Sequence, residues 1–477
     1  MNYETVIGLE VHLHLNTKTK AFCACSTQFG NEPNTQVCPV CLGFPGSLPV
    51  FNRLALDFAI KVGLALGCKI QNYTKFDRKN YYYPDLPKAY QISQFDLPLA
   101  REGYIDIELS SGTKRIRIIR VHMEEDAGKL IHDNDQSLVD YNRTGVPLLE
   151  IVSYPDISSP EEAQEYLKSL KAVLGYLDVS DCDMEKGSLR CDANISLRKK
   201  GETKLGTKAE LKNMNSFKAV KDALAYEILR QSDILNEGGQ IIQETRLWDE
   251  KSMQTISMRT KEEAQDYRYF PEPDLPPFLI EDASIEQIKK AIPELPKEKK
   301  ARFMSEFGLS AYDAGILVNS KNDAVFSEEC FKHYTGKDKK AVANWFIGPL
   351  LSEANSRNCS MSELKISPEQ FCRLLGFIDR DEISNLTAKL VLKDMIDTGK
   401  AAETIIKDKN LLQVSDTASL QAHVEEVVKE NPKSVESYKQ GKINVVMFLV
   451  GQVMKKSGGK ANPKIVQDLL KRRLDNA

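Results

Sequence analysis

The 477-residue chain has no uninterrupted apolar run of about 18 or more residues, the length a membrane-spanning helix needs. A helical membrane span is therefore excluded. Charge of one sign is also lacking: 65 Lys and Arg stand against 68 Asp and Glu, a formal net charge of −3. The chain as a whole is no electrostatic trap for nucleic acid, so any such contact must come from a local patch. The N-terminus, MNYETVIGLE, lacks a basic segment followed by an apolar stretch, and a cytoplasmic location is expected rather than secretion. Nor is there a G-x-x-x-x-G-K-[ST], a G-x-G-x-x-G or a G-x-S-x-G. A P-loop, a dinucleotide fingerprint and a nucleophile elbow are thereby excluded.

What is present is an ordinary globular composition, 42% hydrophobic and 28% charged, in a chain long enough for about three domains. Alternating strand patterns occupy 6–15, 114–125, 146–153, 189–197 and 207–213. Helical periodicity fills 52–67, 160–174 after SSPEEA, and 218–231. The fold class predicted is α+β: a large strand-rich domain over 1–293, followed by two all-helical units, 294–405 and 406–477. The proline cluster FPEPDLPPF (270–278) and the charged ELPKEKKAR (294–302) mark the first boundary, because proline removes ladder donors and bars helix continuation. KDKNLLQVSD marks the second.

Ten cysteines would suit a disulfide framework in a small secreted chain, but here they point to reduced thiols or metal ligands. Cys23-x-Cys25 and Cys38-Pro-Val-Cys41 give two close pairs on turns, the first one residue tighter than the usual Cys-x-x-Cys. Four thiolates can close around a tetrahedral Zn²⁺ and leave no position for water, so the expected role is structural, in a zinc-binding loop.

Several strands carry acids where apolar residues belong. VIGLEVHLHL (6–15) places Glu10, His12 and His14 in alternation with Leu9, Val11, Leu13 and Leu15. In RVHMEEDAGK, Glu125 continues the face of Val121 and Met123, and in VPLLEIVS, Glu150 lies between Leu148 and Val152. RCDANIS offers Arg190, Asp192, Asn194 and Ser196, and TKAELKNMNS offers Glu210 with Lys212. Any one of these is a half-exposed sheet with a solvated face. Five together suggest a common surface that holds Mg²⁺ or Mn²⁺, which bind few carboxylates directly and share their shell with water and phosphate. Cationic partners for phosphate stand in FDRKNYYYPDLPKAYQISQ, with Arg78, Lys79 and Lys88 among tyrosines. The acids alone also fit a Mg²⁺-dependent phosphoesterase or nuclease.

These motifs, with CPVCLGFPGSLPV, DYNRTGVPLLEIVS, GSLRCDANISL, GTKAELKNMNSFK, DYRYFPEPDLPP and FLVGQVMKKSGGKANPKIVQDLL, run in order along essentially the whole chain. Together they resemble the B-subunit family of the aspartyl/glutamyl-tRNA(Asn/Gln) amidotransferases. The resemblance implies a ligase that uses ATP and Mg²⁺ to activate the side-chain carboxylate of mischarged Glu-tRNA(Gln) or Asp-tRNA(Asn). Ammonia released from glutamine by a separate amidase subunit then makes the amide. It implies a heterotrimer with that amidase (glutaminase) subunit and with a small third subunit, and contact with the mischarging synthetase. By motif, Glu10, His12, Glu125 and Glu150 would hold the metal, with Glu210 a further candidate. Lys79, Lys88, Asp192, Asn194 and Lys212 would contact ATP or the acyl end, and Cys23, Cys25, Cys38 and Cys41 match the family's zinc form.

Residues 455–477 carry seven Lys and Arg against two Asp. A basic turn, KKSGGK, precedes a helix opened by Asn462 and Pro463 and packed through Ile465, Val466, Leu469 and Leu470. Lys455, Lys456, Lys460, Lys471, Arg472 and Arg473 read by themselves as a solvated basic face; the resemblance makes them contacts to tRNA phosphates. A third reading, a zinc-stabilised tRNA-binding scaffold with all chemistry in a partner, predicts that Glu10→Gln and Glu125→Gln are kinetically silent.

Overall fold

The computed structural model describes residues 3–133, 136–260, 266–336, 338–413, 417–457 and 461–475. They form two compact units, 1–295 and 296–477. Among the described residues no helix is long and apolar enough to cross a membrane.

The first unit is built on a nine-stranded sheet whose middle strand is Tyr3–His14. On one side of it lie Pro147–Ser153, Gly112–Glu125, Ala100–Leu109 and Lys69–Ile70. On the other lie Leu189–Lys199, Ala209–Lys212, Glu244–Asp249 and Gln254–Thr260. Every pairing is antiparallel except that of Ala209–Lys212 with Glu244–Asp249.

Three helices cover one face of this sheet: Arg53–Ala65, Pro160–Leu177 and Phe217–Asn236. Their starts are written locally. Asn52, Ser159 and Ser216 each accept a hydrogen bond from a first-turn N–H, and Pro160 sits where its missing N–H costs nothing. Their apolar stripes meet Ile7, Leu9, Val11 and Leu13 of the middle strand, all fully buried, with Ile151, Ala193 and Leu211 from its neighbours. The opposite face of the sheet is left to the polar residues.

The expected helices and strands are found, their ends displaced by a few residues. The proline run 270–278 is not a free linker. Phe270–Pro271 pairs with Asp77–Arg78, and Phe278–Leu279 with Tyr73–Thr74, so the run is stitched into the first unit and the division falls at Leu295 and Pro296. Prolines at the short ends of such pairings leave their carbonyls free to accept while needing no ladder donor.

From Pro296 onward every regular element among the described residues is helical. This second unit contains two separate hydrophobic clusters. One is built on Phe303, Phe331, Phe346 and Phe371; the other, on Val424, Val427, Leu449, Val453, Val466 and Leu470, is contained in residues 420–474. The acids and cysteines with chemical potential at the head of the chain all lie in the first unit.

Candidate active site

Because side chains alternate along a strand, burial of Ile7, Leu9, Val11 and Leu13 sends Glu10, His12 and His14 to the uncovered face. Antiparallel register then fixes their neighbours. His12 lies opposite Glu150 on one side and Arg190 on the other; Glu10 lies opposite Val152 and Asp192; Glu150 lies opposite His122. One strand further, Asn194 lies opposite Glu210, two residues from Lys212.

His12, Glu124 and Glu150 each direct a ligand atom into one space, all three within 4.8 Å of one another. His12 Nε2 and His122 Nε2 each stand 3.5 Å from Glu150 Oε2, and Arg120 is 3.7 Å from Glu150 Oε1. Glu10 accepts a hydrogen bond from Asn194 Nδ2 at 2.9 Å. Lys212 is paired with Asp192 and lies 3.3 Å from Glu210, which also accepts from the Thr245 hydroxyl. One imidazole and two carboxylates at this spacing suit a divalent cation that keeps open positions.

At three of these groups the neighbouring charges outweigh burial. Burial works to raise the Glu150 carboxyl, but His122, His12 and Arg120 outweigh it and hold the group well below the ordinary carboxylate range. Burial works to lower the His12 imidazole, and Glu150, Glu124 and Asp192 reverse this and raise it. Burial likewise works to lower Lys212, and Asp192 and Glu210 raise it instead. At the edge of this group the buried Asp126 accepts from His14 Nε2 at 2.6 Å and pairs with Arg190 at 2.9 Å and Arg143 at 3.1 Å. Those cations overcome burial and hold its carboxyl well below its usual value.

Of the residues singled out from the sequence, Glu10, His12, Glu150, Asp192, Asn194, Glu210 and Lys212 share this face. Glu125 does not. It continues the buried side of Val121 and Met123, pairs with Lys88, and accepts from the Ile92 N–H at 2.9 Å. The carboxylate that converges with His12 and Glu150 is that of Glu124. His122 and Glu124 are legible in the period-two alternation Arg120, His122, Glu124, the parity opposite to that of Val121, Met123 and Glu125. Lys79 and Lys88 also part company. Lys79 Nζ lies 4.9 Å from the centre of the Tyr267 ring, whereas Lys88 is buried against Glu125.

Cys23, Cys25, Cys38 and Cys41 are free thiols whose sulfurs all lie within 4.8 Å of one another. A tetrahedral Zn–S₄ centre has S···S separations of about 3.8 Å, and Cys41 to Cys38 is already 3.9 Å. The donor set fits zinc. Hydrogen bonding with Cys23 brings the Cys41 thiol down to about 4, helped by the Cys38 N–H and by the buried Lys20, whose Nζ is 3.6 Å away; burial pushes Cys25 up to about 11. Lys20 thus favours the charged form of Cys41. A cavity of about 190 Å³ runs from Cys23 and Cys41 past Lys20 to Lys88, Glu125 and Arg78. Cys23 and Cys41 therefore line one cavity with the Lys88–Glu125 pair, and His12, Glu124 and Glu150 are not among its lining residues.

In the tail, Lys456 is 2.6 Å from Glu430 and 2.8 Å from Glu426, and Arg473 is 2.7 Å from Glu425. Lys455, Lys471 and Arg472 are exposed. Lys460 lies outside the described residues.

A sheet that gathers imidazoles, carboxylates and a lysine on one face, backed by helices on the other and carrying a four-thiol loop, is the working surface of an α+β catalytic domain. The chain belongs to the GatB/GatE family: the family model of the GatB/GatE catalytic domain matches residues 5–286, and that of the GatB domain matches residues 326–474. It is 56% identical over 477 residues to the B subunit of the aspartyl/glutamyl-tRNA(Asn/Gln) amidotransferase of Carboxydothermus hydrogenoformans, covering 99% of each chain. The proteins of the same description from Caldanaerobacter subterraneus subsp. tengcongensis and Persephonella marina are 55% and 53% identical. They cover 99% and 98% of this chain and 100% and 99% of their own. The chain is an enzyme of the amidotransferase class and one component of a larger assembly.

Proposed function

We propose that the chain is the B subunit that converts mischarged Glu-tRNA(Gln), Asp-tRNA(Asn) or both into Gln-tRNA(Gln) and Asn-tRNA(Asn). A carboxylate is a poor electrophile, because it is negatively charged and lacks a leaving group. In the first step a side-chain carboxylate oxygen of the tRNA-bound amino acid attacks the γ-phosphorus of ATP, and the bond to ADP breaks. In the second, ammonia attacks the acyl carbon of the resulting acyl phosphate, the C–O bond to phosphate breaks, and nitrogen sheds a proton. Both steps gather negative charge on oxygen, so preorganised cations supply most of the stabilisation.

The observation that carries this reading is the convergence of His12, Glu124 and Glu150 beside Lys212 on the uncovered face of the catalytic domain. These three residues, with Glu10 and Glu210 alongside, would hold Mg²⁺, which supplies neutralisation of phosphoryl oxygens. Lys212, fixed by Asp192 and Glu210, presents a permanent positive charge to the same space, and Lys79 adds a second at its aromatic border. Asn194 orients Glu10 through its amide. The four cysteines would hold Zn²⁺ as a structural tie, since a full thiolate set leaves no site for substrate.

The sequence carries no signature of an amidase serine or a glutamine-hydrolysing cysteine site, so ammonia comes from a partner amidase subunit, with a small third subunit completing a cytoplasmic heterotrimer. The helical tail meets tRNA phosphates through Lys455, Lys471 and Arg472, and the mischarging synthetase is a further partner. The test uses the assembled complex with Mg²⁺, ammonium chloride in place of glutamine, and Glu-tRNA(Gln). ADP release stimulated by the charged tRNA, with Gln-tRNA formed by wild type and lost in His12→Ala, supports the assignment. Equal rates for both would move the chemistry to a partner.

A further inference from the structure

The His12 group is bordered by a chain of aromatic rings that the activation chemistry leaves without a role. Tyr81 packs edge-on to Tyr267 at 5.9 Å between centroids, and Tyr267 edge-on to Tyr269 at 6.1 Å. Tyr269 stacks on Phe95 at 4.1 Å with planes 8° apart. These rings come from two segments far apart in sequence. They are held where they are: Asn80 donates its N–H to the Tyr267 carbonyl at 2.9 Å and its side-chain amide to the Arg268 carbonyl at 2.7 Å. Between the two tyrosines Arg268 takes a left-handed backbone, φ 45°, which non-glycine residues seldom hold.

Phe95 is 57% exposed although it is a large apolar ring, so the stack ends in an open face. It stands two residues beyond Ser93, whose hydroxyl donates to Glu124 Oε2 at 3.3 Å, and next to Gln94, whose side-chain oxygen accepts from the Met123 N–H at 3.0 Å. The segment that carries Phe95 is thus anchored to a member of the candidate metal group two residues earlier, through Ser93. At the other end of the ring chain Lys79 Nζ lies 4.9 Å from the Tyr267 centroid and brings a cation to the same border. Burial, together with the charges on Glu124 and Glu150, pushes the Tyr269 phenol up and keeps it protonated.

We infer that Phe95 and Tyr269 form a stacking platform for an adenine ring, with Lys79 flanking the phosphates attached to it. An adenosine reaches such a site from two sources, ATP or the terminal nucleotide of the charged tRNA. Both are flat bases carried next to a phosphate, and stacking accepts either. The inference rests on the transamidation reading, but its test does not require turnover.

Equilibrium binding of ATP and, separately, of Glu-tRNA(Gln) is measured on the intact complex for wild type, Phe95→Ala, Phe95→Leu, Tyr269→Ala and Tyr269→Phe. Tyr82→Ala serves as control, since that ring is 86% exposed and outside the stack. The expected result is an affinity weakened roughly tenfold in both alanine variants, still weakened in Phe95→Leu, retained in Tyr269→Phe, and unchanged in Tyr82→Ala. Weakening confined to ATP assigns the platform to the nucleotide; weakening confined to the tRNA assigns it to the acceptor end. Unchanged affinity for both ligands overturns the inference, as does full recovery in Phe95→Leu or an equal loss in Tyr82→Ala. Those outcomes leave the transamidation reading standing, because that reading fails on His12→Ala kinetics instead.

Discussion

Glu124 and Glu125 are neighbours in the chain and face opposite sides of the same sheet. Glu124 lies across from Leu148 and joins His12 and Glu150, whereas Glu125 lies across from Pro147 and is buried against Lys88. Two adjacent carboxylates thus have different surroundings, one beside an imidazole and a second carboxylate and one against a buried lysine.

Glu124→Gln and Glu125→Gln should accordingly separate. The first keeps shape and hydrogen bonding but removes a ligand charge, and ADP release by the complex should fall by about 100-fold or more, with little change in melting temperature. The second leaves Lys88, 6% exposed, without its counter-charge. Breaking a buried pair costs about 3–5 kcal/mol, so Glu125→Gln should show first in thermal denaturation of the purified chain. A variant Glu124→Gln that turns over at the wild-type rate would remove Glu124 from the site.

The thiol cluster predicts a stoichiometry. Purified protein should contain one Zn²⁺ per chain by elemental analysis, and Cys38→Ser should lose it and melt roughly 10 °C lower. ATP consumption at a temperature where the variant stays folded should be largely retained, because the cluster and the His12 group do not share ligands. Full zinc occupancy in Cys38→Ser would count against a four-thiolate centre.

How much of this is legible in the sequence depends on what each signal encodes. The helix starts at Asn52, Ser159 and Ser216 are readable because a cap is a local arrangement of side chain and first turn. Glu10 and Glu150 are readable because a charge breaking an apolar alternation is conspicuous within one strand. Which carboxylates meet is a different question. It depends on register between strands far apart in the chain, and a shift of one residue exchanges the two faces, as Glu125 and Glu124 illustrate. The Asp126 network is invisible for the same reason, since His14, Arg143 and Arg190 reach it from three segments.

The second unit should show a specific acid response. Burial works to raise the Glu328 carboxyl, but Arg302 at 3.0 Å and Lys299 at 2.8 Å hold it below its ordinary value of 4.5. A depressed carboxyl contributes stability above the unfolded value and loses it as pH falls through the folded value. Glu328→Gln should therefore destabilise the unit by roughly 1 kcal/mol at about pH 7, and the gap from wild type should close as pH falls below 4.5. Denaturant unfolding of both proteins at several pH values measures that gap; a constant gap would mean packing, not charge, is lost.

The tail offers the last separation. Arg473 and Lys456 are engaged with Glu425, Glu426 and Glu430, so their charges are already balanced inside the unit. Lys471 and Arg472 are exposed on the same final helix, Pro463–Asp475. If that helix meets tRNA, the exposed pair releases counterions from phosphate and the engaged residues do not. The double variant Lys471→Ala/Arg472→Ala should bind Glu-tRNA(Gln) more weakly and flatten the dependence of log Kd on log salt by about 1.5, close to one unit for each phosphate no longer neutralised. Arg473→Ala should instead leave the slope unchanged and cost at most about 1 kcal/mol of stability. Identical slopes for wild type and the double variant would assign the basic face to solvent and move the tRNA grip elsewhere in the assembly.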